Sequence, residues 1–308
     1  ALHSEAALSP YKELSQALRI PGTAVVAQRS SPLGLLDIVE SRETPFRHAP
    51  GLSLKAGSEP PPQVGIFTDG GNLSVITRDH GDRQAFAYLD QTTSALPYHL
   101  TETRQVLILG AGGGADVLQA LYHQAPQITA VELNPQVVEL LRRDYADFSG
   151  RIYDRPGVEV HVDEARGFIT RSAQHYDLIQ LALMDAFGAS TAGLYALNES
   201  YLYTVEAFST YLAHLKPGGY LSVPGIYWGS VALPGLPLCL QQIDLCPATL
   251  YGRHAGGRDV DAAAALLAIT PDLADTLITH RFPLDAAAEA FATAASREEG
   301  AIKVVLEP

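Results

Sequence analysis

The residues best suited to chemistry are a glycine turn, Gly110-Ala111-Gly112-Gly113-Gly114, and an acid, Glu132, about twenty positions after it. Glycines at 110, 112 and 114 let a chain turn tightly and bring amide hydrogens and a helix start close to a ligand, with no Cβ in the way. A carboxylate at the end of the next strand can accept both hydroxyls of a ribose. The pair predicts a nucleotide-like ligand contacted by Gly110, Gly112, Gly114 and Glu132. Gly110-x-Gly112-x-x-Ala115 also satisfies the dinucleotide fingerprint, so spacing leaves NAD open. Two later features favour an adenosylmethionine-like ligand. One is Glu164-Ala165-Arg166, placed after a third strand where an adenine amine is met; the other is the turn Leu215-Lys216-Pro217-Gly218-Gly219.

The elements that must position these residues follow from hydrophobic period. Val106-Leu107-Ile108-Leu109 is a continuous apolar run, as a parallel strand buried on both faces requires, and a crossover helix begins at Asp116. Strands are expected at Ile128 to Val131, Val158 to Val162, Tyr176 to Leu183 and Tyr220 to Val223. Helices are expected at Val137 to Tyr145 and Leu202 to Leu215, the latter closed by Lys216-Pro217-Gly218-Gly219. Upstream lie a short helix, then β pairs Thr23 to Gln28 with Leu35 to Val39 and Val64 to Thr68 with Leu73 to Thr77. The second pair is joined at Asp69-Gly70-Gly71, and the Pro- and Gly-rich stretch 45–63 reads as a long loop. Ala-rich helices at Ala262 to Ile269 and Ala286 to Ala295, and strands at Leu277 to His280 and Ile302 to Leu306, complete the chain. The fold class is α/β. A small N-terminal β domain (1–100) precedes a doubly wound Rossmann-like domain (101–223) and an α/β C-terminal segment (224–308).

Composition excludes several classes. With 308 residues, 47% of them hydrophobic, the chain can bury a full core. A net charge of −13 and the lack of a Lys/Arg cluster argue against nucleic acid and suit a cationic substrate. No run approaches the roughly 18 apolar residues of a membrane span, and the N-terminus lacks a signal-peptide build, so the cytoplasm is expected. Met184 is the sole methionine, which leads us to expect residues upstream of Ala1. Cys239 and Cys246 have no zinc-ribbon spacing and read as small buried side chains; no metal is expected.

From Ser9 to Val223 the chain resembles the spermidine synthase-like family, the polyamine aminopropyltransferases. The resemblance rests on Gly65-Ile66-Phe67-Thr68-Asp69-Gly70, Phe86-Ala87-Tyr88-Leu89-Asp90, Val106 to Gly114, Ala130-Val131-Glu132-Leu133-Asn134-Pro135, Tyr176-Asp177-Leu178-Ile179 and Tyr203-Thr204-Val205-Glu206-Ala207-Phe208. It implies binding of decarboxylated S-adenosylmethionine, or S-adenosylmethionine, and transfer of an aminopropyl group to a polyamine; a homodimer is compatible with it. It assigns the ribose to Glu132, adenine to Glu164 and Ala165, and the place of a substrate-holding Tyr-x-Glu to Tyr88 and Asp90. The family's general base would fall at Ala182, leaving Asp185 as the surviving catalytic acid, and Gly113 stands where the glycine turn has an internal aspartate.

After about Gly218 the pattern changes. Gly225-Ile226-Tyr227-Trp228-Gly229, Thr279-His280-Arg281-Phe282-Pro283-Leu284 and the last residues, Gly300 to Pro308, resemble the C-terminal end of medium-chain zinc alcohol dehydrogenases. No Cys/His-Glu zinc set precedes the Rossmann unit, and His280 reads as structural. The chain therefore reads as a hybrid joined at a shared glycine turn. The alternatives to a transferase are an NAD-dependent oxidoreductase and a non-catalytic hybrid, and the last strand must find a new edge to pair with.

Overall fold

The structure, a computed structural model, describes residues 9–10, 12–100, 102–182, 201–224, 235–248, 253–254, 257–270, 278–296 and 303–307. Asp185 lies outside the described residues. Two compact units are present, Ala1–Leu250 and Tyr251–Pro308.

The first unit starts with a short helix, α1 (Glu13–Ala17), and an antiparallel meander of β1 (Thr23–Ser31), β2 (Gly34–Ser41), β3 (Gln63–Thr68) and β4 (Gly71–Thr77). Asp69 and Gly70, both at positive φ, make the β3–β4 turn expected from the Asp-Gly pair. A 3-10 helix, Arg83–Gln91, and α2 (Leu96–Leu100) lead into a six-stranded sheet. Its strands are β5 (Gln105–Leu109), β6 (Gln127–Glu132), β7 (Val158–Val162), β8 (Tyr176–Leu181), β9 (Leu215–Pro224) and β10 (Asp244–Ala248). Their spatial order is β10-β9-β8-β5-β6-β7, and every pairing is parallel.

Side chains of β5 alternate between two cores. Val106 and Ile108 join one cluster, Leu107 and Leu109 the other, and all four are fully buried. Each such side chain is worth about 1.5–3 kcal/mol in transfer terms. The first cluster also holds Leu36, Ile38, Ile66 and Ile76 of the meander, so the antiparallel and parallel sheets share one core. This shared core runs through the first unit, Ala1–Leu250. The parallel sheet also runs past Val223, because β10 pairs with Tyr220–Pro224.

The crossover helix is α3 (Ala115–Tyr122). The helix expected over Val137 to Tyr145 is instead α4 (Pro135–Glu139), capped by Asn134, followed by a π-type turn over Leu140–Asp144. α5 (Ala165–Arg171) follows β7, and α6 (Val205–Ala213) is capped by Thr204, shorter than its apolar period suggested. Lys216-Pro217-Gly218-Gly219 does not close that helix. It is looped out of β9, whose register jumps from Tyr176↔Leu215 to Leu178↔Tyr220. Gly218 takes φ +75°, and Lys216 Nζ sits 2.9 Å from Asp177 Oδ1, which pins the bulge to β8. α7 (Gly235–Gln241) precedes β10. It carries Cys239, which is exposed, contrary to expectation; Cys246 is buried.

The second unit holds the two-residue strands β11 (Arg253–His254) and β12 (Gly257–Arg258), helix α8 (Asp259–Ile269), and a βαβ unit of β13 (Ile278–Pro283), α9 (Ala287–Ser296) and β14 (Lys303–Glu307). β14 finds its edge on β13 in parallel register, with α9 as the crossover. No helix among the described residues is long and apolar enough to cross a membrane.

Candidate functional site

Strand order reverses between β5 and β8: the chain moves outward from β5 to β6 and β7, then returns to the other side of β5. At such a switch the loops diverge and leave a crevice at the carboxyl ends of the strands. A cavity of about 510 Å³ opens there, within the usual range for small-molecule sites. The glycine turn follows β5, Glu132 ends β6, Asp163 to Ala165 follow β7, and Ala182 follows β8; Gly110, Gly112 and these residues all line the cavity.

The turn is built from its own covalent limits. Gly110, Gly112 and Gly114 take φ of +88°, +51° and +88°, a region L side chains rarely adopt. Gly114 is not among the cavity's lining residues, and a Cβ there would meet Leu141 Cδ2 at 3.3 Å, so the bare glycine permits close packing on the neighbouring helix. Gly113 takes no positive φ, but a Cβ on it would lie 2.2 Å from the Val75 carbonyl oxygen of β4. Any side chain at this position would meet the backbone of β4.

The turn's amides are already engaged. Gly112 N–H donates to Glu132 Oε2 at 2.8 Å and Gly113 N–H to Ser74 Oγ at 2.8 Å, while Asn134 N–H donates to Glu132 Oε1 at 2.8 Å. These backbone bonds to both Glu132 oxygens fix the orientation of the carboxylate on the cavity wall. Burial raises the Glu132 pKa, and the backbone bonds from Asn134, Gly112 and Leu133 oppose that shift.

Glu164 is the N-cap of α5. Its Oε1 accepts from Arg166 N–H at 2.9 Å and its Oε2 from Gly167 N–H at 2.6 Å. The side chain assigned to adenine therefore also holds a helix start, and Ala165 beside it lines the cavity. Glu164→Ala should destabilise the ligand-free chain by about 1 kcal/mol through the lost cap, read as a shift in urea midpoint. A midpoint equal to that of the wild type would remove the capping role.

Tyr88 is buried on the cavity wall. Burial pushes its phenol up to about 12, against a Thr77 hydrogen bond that lowers it, so it stays a neutral donor. Asp90 is placed elsewhere: it does not line the cavity, and its carboxylate meets His99 and His123. Ala182, buried, presents a methyl group where the resemblance puts a base.

Two lining residues escaped the sequence reading as site members. Gln180 is fully buried in β8, and its Nε2 donates to Asp116 Oδ1 at 2.6 Å and to Gln119 Oε1 at 3.2 Å, while its Oε1 accepts from Tyr98 O–H at 2.8 Å. Asp116 opens α3 on the cavity wall; burial pushes its carboxyl up to about 6, against the Gln180 bond that favours the charged form. The signal was a glutamine inside an apolar strand buried on both faces, which must find polar partners across the sheet.

The carboxylates of Glu13, Asp116, Glu132, Asp163 and Glu164 line the cavity; apart from His48, no basic side chain does among the described residues. Asp163 is held below the usual carboxylate range, chiefly by its bond from Arg171.

Residues 89–223 match the family described as the spermine/spermidine synthase domain. The polyamine aminopropyltransferase of Korarchaeum cryptofilum is 25% identical over 122 residues, covering 40% of this chain and 35% of that protein. Spermidine synthase from Thermotoga maritima aligns at a TM-score of 0.43 with 19% identity, covering 63% of this chain and 55% of that one. A short-chain alcohol dehydrogenase of Escherichia coli with NADH aligns at 0.33 with 15% identity, covering 80% and 65%. The chain spans about a third to a half of the length of the first curated relatives it matches. The likeness to the spermine/spermidine synthase domain is therefore a property of residues 89–223, the stretch that carries the glycine turn, Glu132, Glu164 and Ala182.

Proposed function

We propose that the first unit binds decarboxylated S-adenosylmethionine and transfers its aminopropyl group to an amine of a polyamine. The observation that carries this reading is the charge of the cavity: Glu13, Asp116, Glu132, Asp163 and Glu164 with no Lys or Arg among its described lining residues. A sulfonium and an alkylammonium are cations, and such a wall raises their local concentration. A dinucleotide brings a pyrophosphate that needs the turn's amides, and those of Gly112 and Gly113 already bond Glu132 and Ser74. NAD remains the second reading, on the strength of Gly110-x-Gly112-x-x-Ala115.

In the proposed step the amine nitrogen attacks the carbon bonded to sulfur, a C–N bond forms, and the C–S bond breaks with its electron pair going to methylthioadenosine. The new ammonium must lose a proton. Asp185 is the acid assigned by the resemblance. Asp116 is the acceptor we infer from the cavity, because it lines the same cavity as Ala182 and burial pushes its carboxyl up to about 6. Glu132 orients the ribose, Glu164 and Ala165 border the adenine, and Tyr88 donates to substrate.

Asp116→Asn separates catalysis from stability. The folded carboxyl, raised from 3.8 to about 6, binds its proton more tightly than the unfolded chain does, so the stability it contributes is present at low pH and lost as pH rises through 6. The variant should lose at least about 100-fold in methylthioadenosine release from decarboxylated S-adenosylmethionine and a diamine. It should also gain stability relative to wild type at pH 8, by at most about 3 kcal/mol, and less at pH 4. Unchanged turnover would remove Asp116 from the reaction. No turnover by the wild type would remove the proposed reaction itself.

A further inference from the structure

On the face of the first unit that carries Asp90, three elements converge away from the cavity lining. Asp90 stands in the 3-10 helix Arg83–Gln91, His99 in the last turn of α2, and His123 directly after α3. Asp90 Oδ1 lies 2.8 Å from His99 Nε2 and 3.8 Å from His123 Nε2, and the three ligand atoms all lie within 4.8 Å of one another. We propose that Asp90, His99 and His123 form a site for one divalent transition ion of the zinc type.

The first reason is His123. Its side chain is nine-tenths buried, and its Nε2 has no hydrogen-bond partner, since the Asp90 oxygen is beyond bonding distance. An ordinary Asp90–His99 ion pair leaves that nitrogen orphaned, which native structures avoid. An ion between the three groups would satisfy it.

The second reason is orientation. The His123 ring is stacked on Tyr98 at 4.6 Å and 12° and meets Tyr122 edge-on at 5.2 Å, which fixes its plane. Zinc–ligand bonds of about 2.0–2.2 Å in tetrahedral array separate ligand atoms by roughly 3.4 Å, between the two separations seen. Asp90 and His99 are exposed and can close that difference by side-chain rotation. Arg83, the nearby cation, donates to the Tyr122 carbonyl at 2.9 Å and lies over the Tyr122 ring. Two imidazoles with one carboxylate select zinc, cobalt or nickel over magnesium or calcium. Ligands 9 and 24 positions apart match no short motif, which is why spacing predicted no metal. A bound ion would tie the helix bearing Tyr88 to the end of α3, whose start is the glycine turn.

The test uses the tag-free full chain stripped with chelator, titrated with Co²⁺ followed by visible absorption and with Zn²⁺ followed by calorimetry. The wild type should bind one ion, develop a cobalt d–d band and melt at higher temperature with Zn²⁺. His99→Gln and Asp90→Asn, at exposed positions, should each lose at least tenfold in affinity while melting as the wild type does without metal. His175→Gln, on a separate His pair, should bind as the wild type does. Absence of a cobalt band in the wild type, or wild-type affinity in either ligand variant, would overturn the proposal.

Discussion

Glu132→Ala should weaken adenosyl-ligand binding by at least about 100-fold, because two charge-assisted hydrogen bonds to a ribose, each worth about 1.5–3 kcal/mol, disappear together. The loss also frees two backbone donors, Gly112 N–H and Asn134 N–H, which now hold the two carboxylate oxygens at 2.8 Å. Glu132→Gln tests the same point with little change of shape. One end of its amide is a donor that faces a backbone donor, so the ligand should bind poorly there too. Its stability has a definite sign with pH. Burial raises the Glu132 pKa in the fold, so the wild type loses stability, relative to the glutamine variant, as pH rises through the carboxylate range. Calorimetric titration with methylthioadenosine reads the binding loss, and wild-type affinity in either variant would remove Glu132 from the ribose.

Gly113→Ala should be the most damaging small substitution at the turn. Its Cβ would lie 2.2 Å from the Val75 carbonyl oxygen and 2.4 Å from the Val75 carbonyl carbon, and no side-chain rotation relieves a clash with backbone. β4 and the turn must part, and the Gly113 N–H to Ser74 bond is lost with them. A cost of about 3 kcal/mol or more follows, read as a fall in Tm of roughly 6–12 °C for a unit of this size. Gly113→Asp, which places there the aspartate that the resemblance implies, should fail for the same reason. Gly57→Ala is the control: nothing lies within 4 Å of its added Cβ, and its melt should match the wild type within a degree or two. A Gly113→Ala melt equal to that of Gly57→Ala would show that the meander does not press on the turn.

These two residues also show what the sequence makes legible. The apolar run of β5, the glycine turn and Glu132 lie within one βαβ unit, where strand period, backbone sterics and a fixed crossover length act locally. Five strands of the parallel sheet followed, β10 (Asp244–Ala248) excepted, and so did both β pairs of the meander, because alternation and an Asp-Gly turn are local signals. What escaped depends on partners distant in sequence. Nothing near Gly113 says that Val75 will lie against it, and nothing near Gln180 says that Asp116, Gln119 and Tyr98 will meet its amide. Lys216-Pro217-Gly218-Gly219 reads as a helix stop by composition, yet the pairing of Asp177 with Lys216 makes it a bulge within a strand. The resemblance assigned Tyr88 and Asp90 together to the substrates, and of the two only Tyr88 lines the cavity. Glu164 was legible as a residue of the site but not as the cap of α5, since both roles use the same position after β7.

The cavity joins these strands of the account: a carboxylate oriented by backbone bonds, a wall rich in acids and amides of the glycine turn already bonded within the fold. These features support the proposed reading of an adenosyl ligand over a dinucleotide, which brings a pyrophosphate. The most direct measurement is a parallel calorimetric titration of the purified chain with S-adenosylmethionine, methylthioadenosine and NADH at one salt concentration. The account predicts saturable binding of methylthioadenosine and of the sulfonium, with NADH at least tenfold weaker. Binding of NADH alone, or of none of the three, would contradict it.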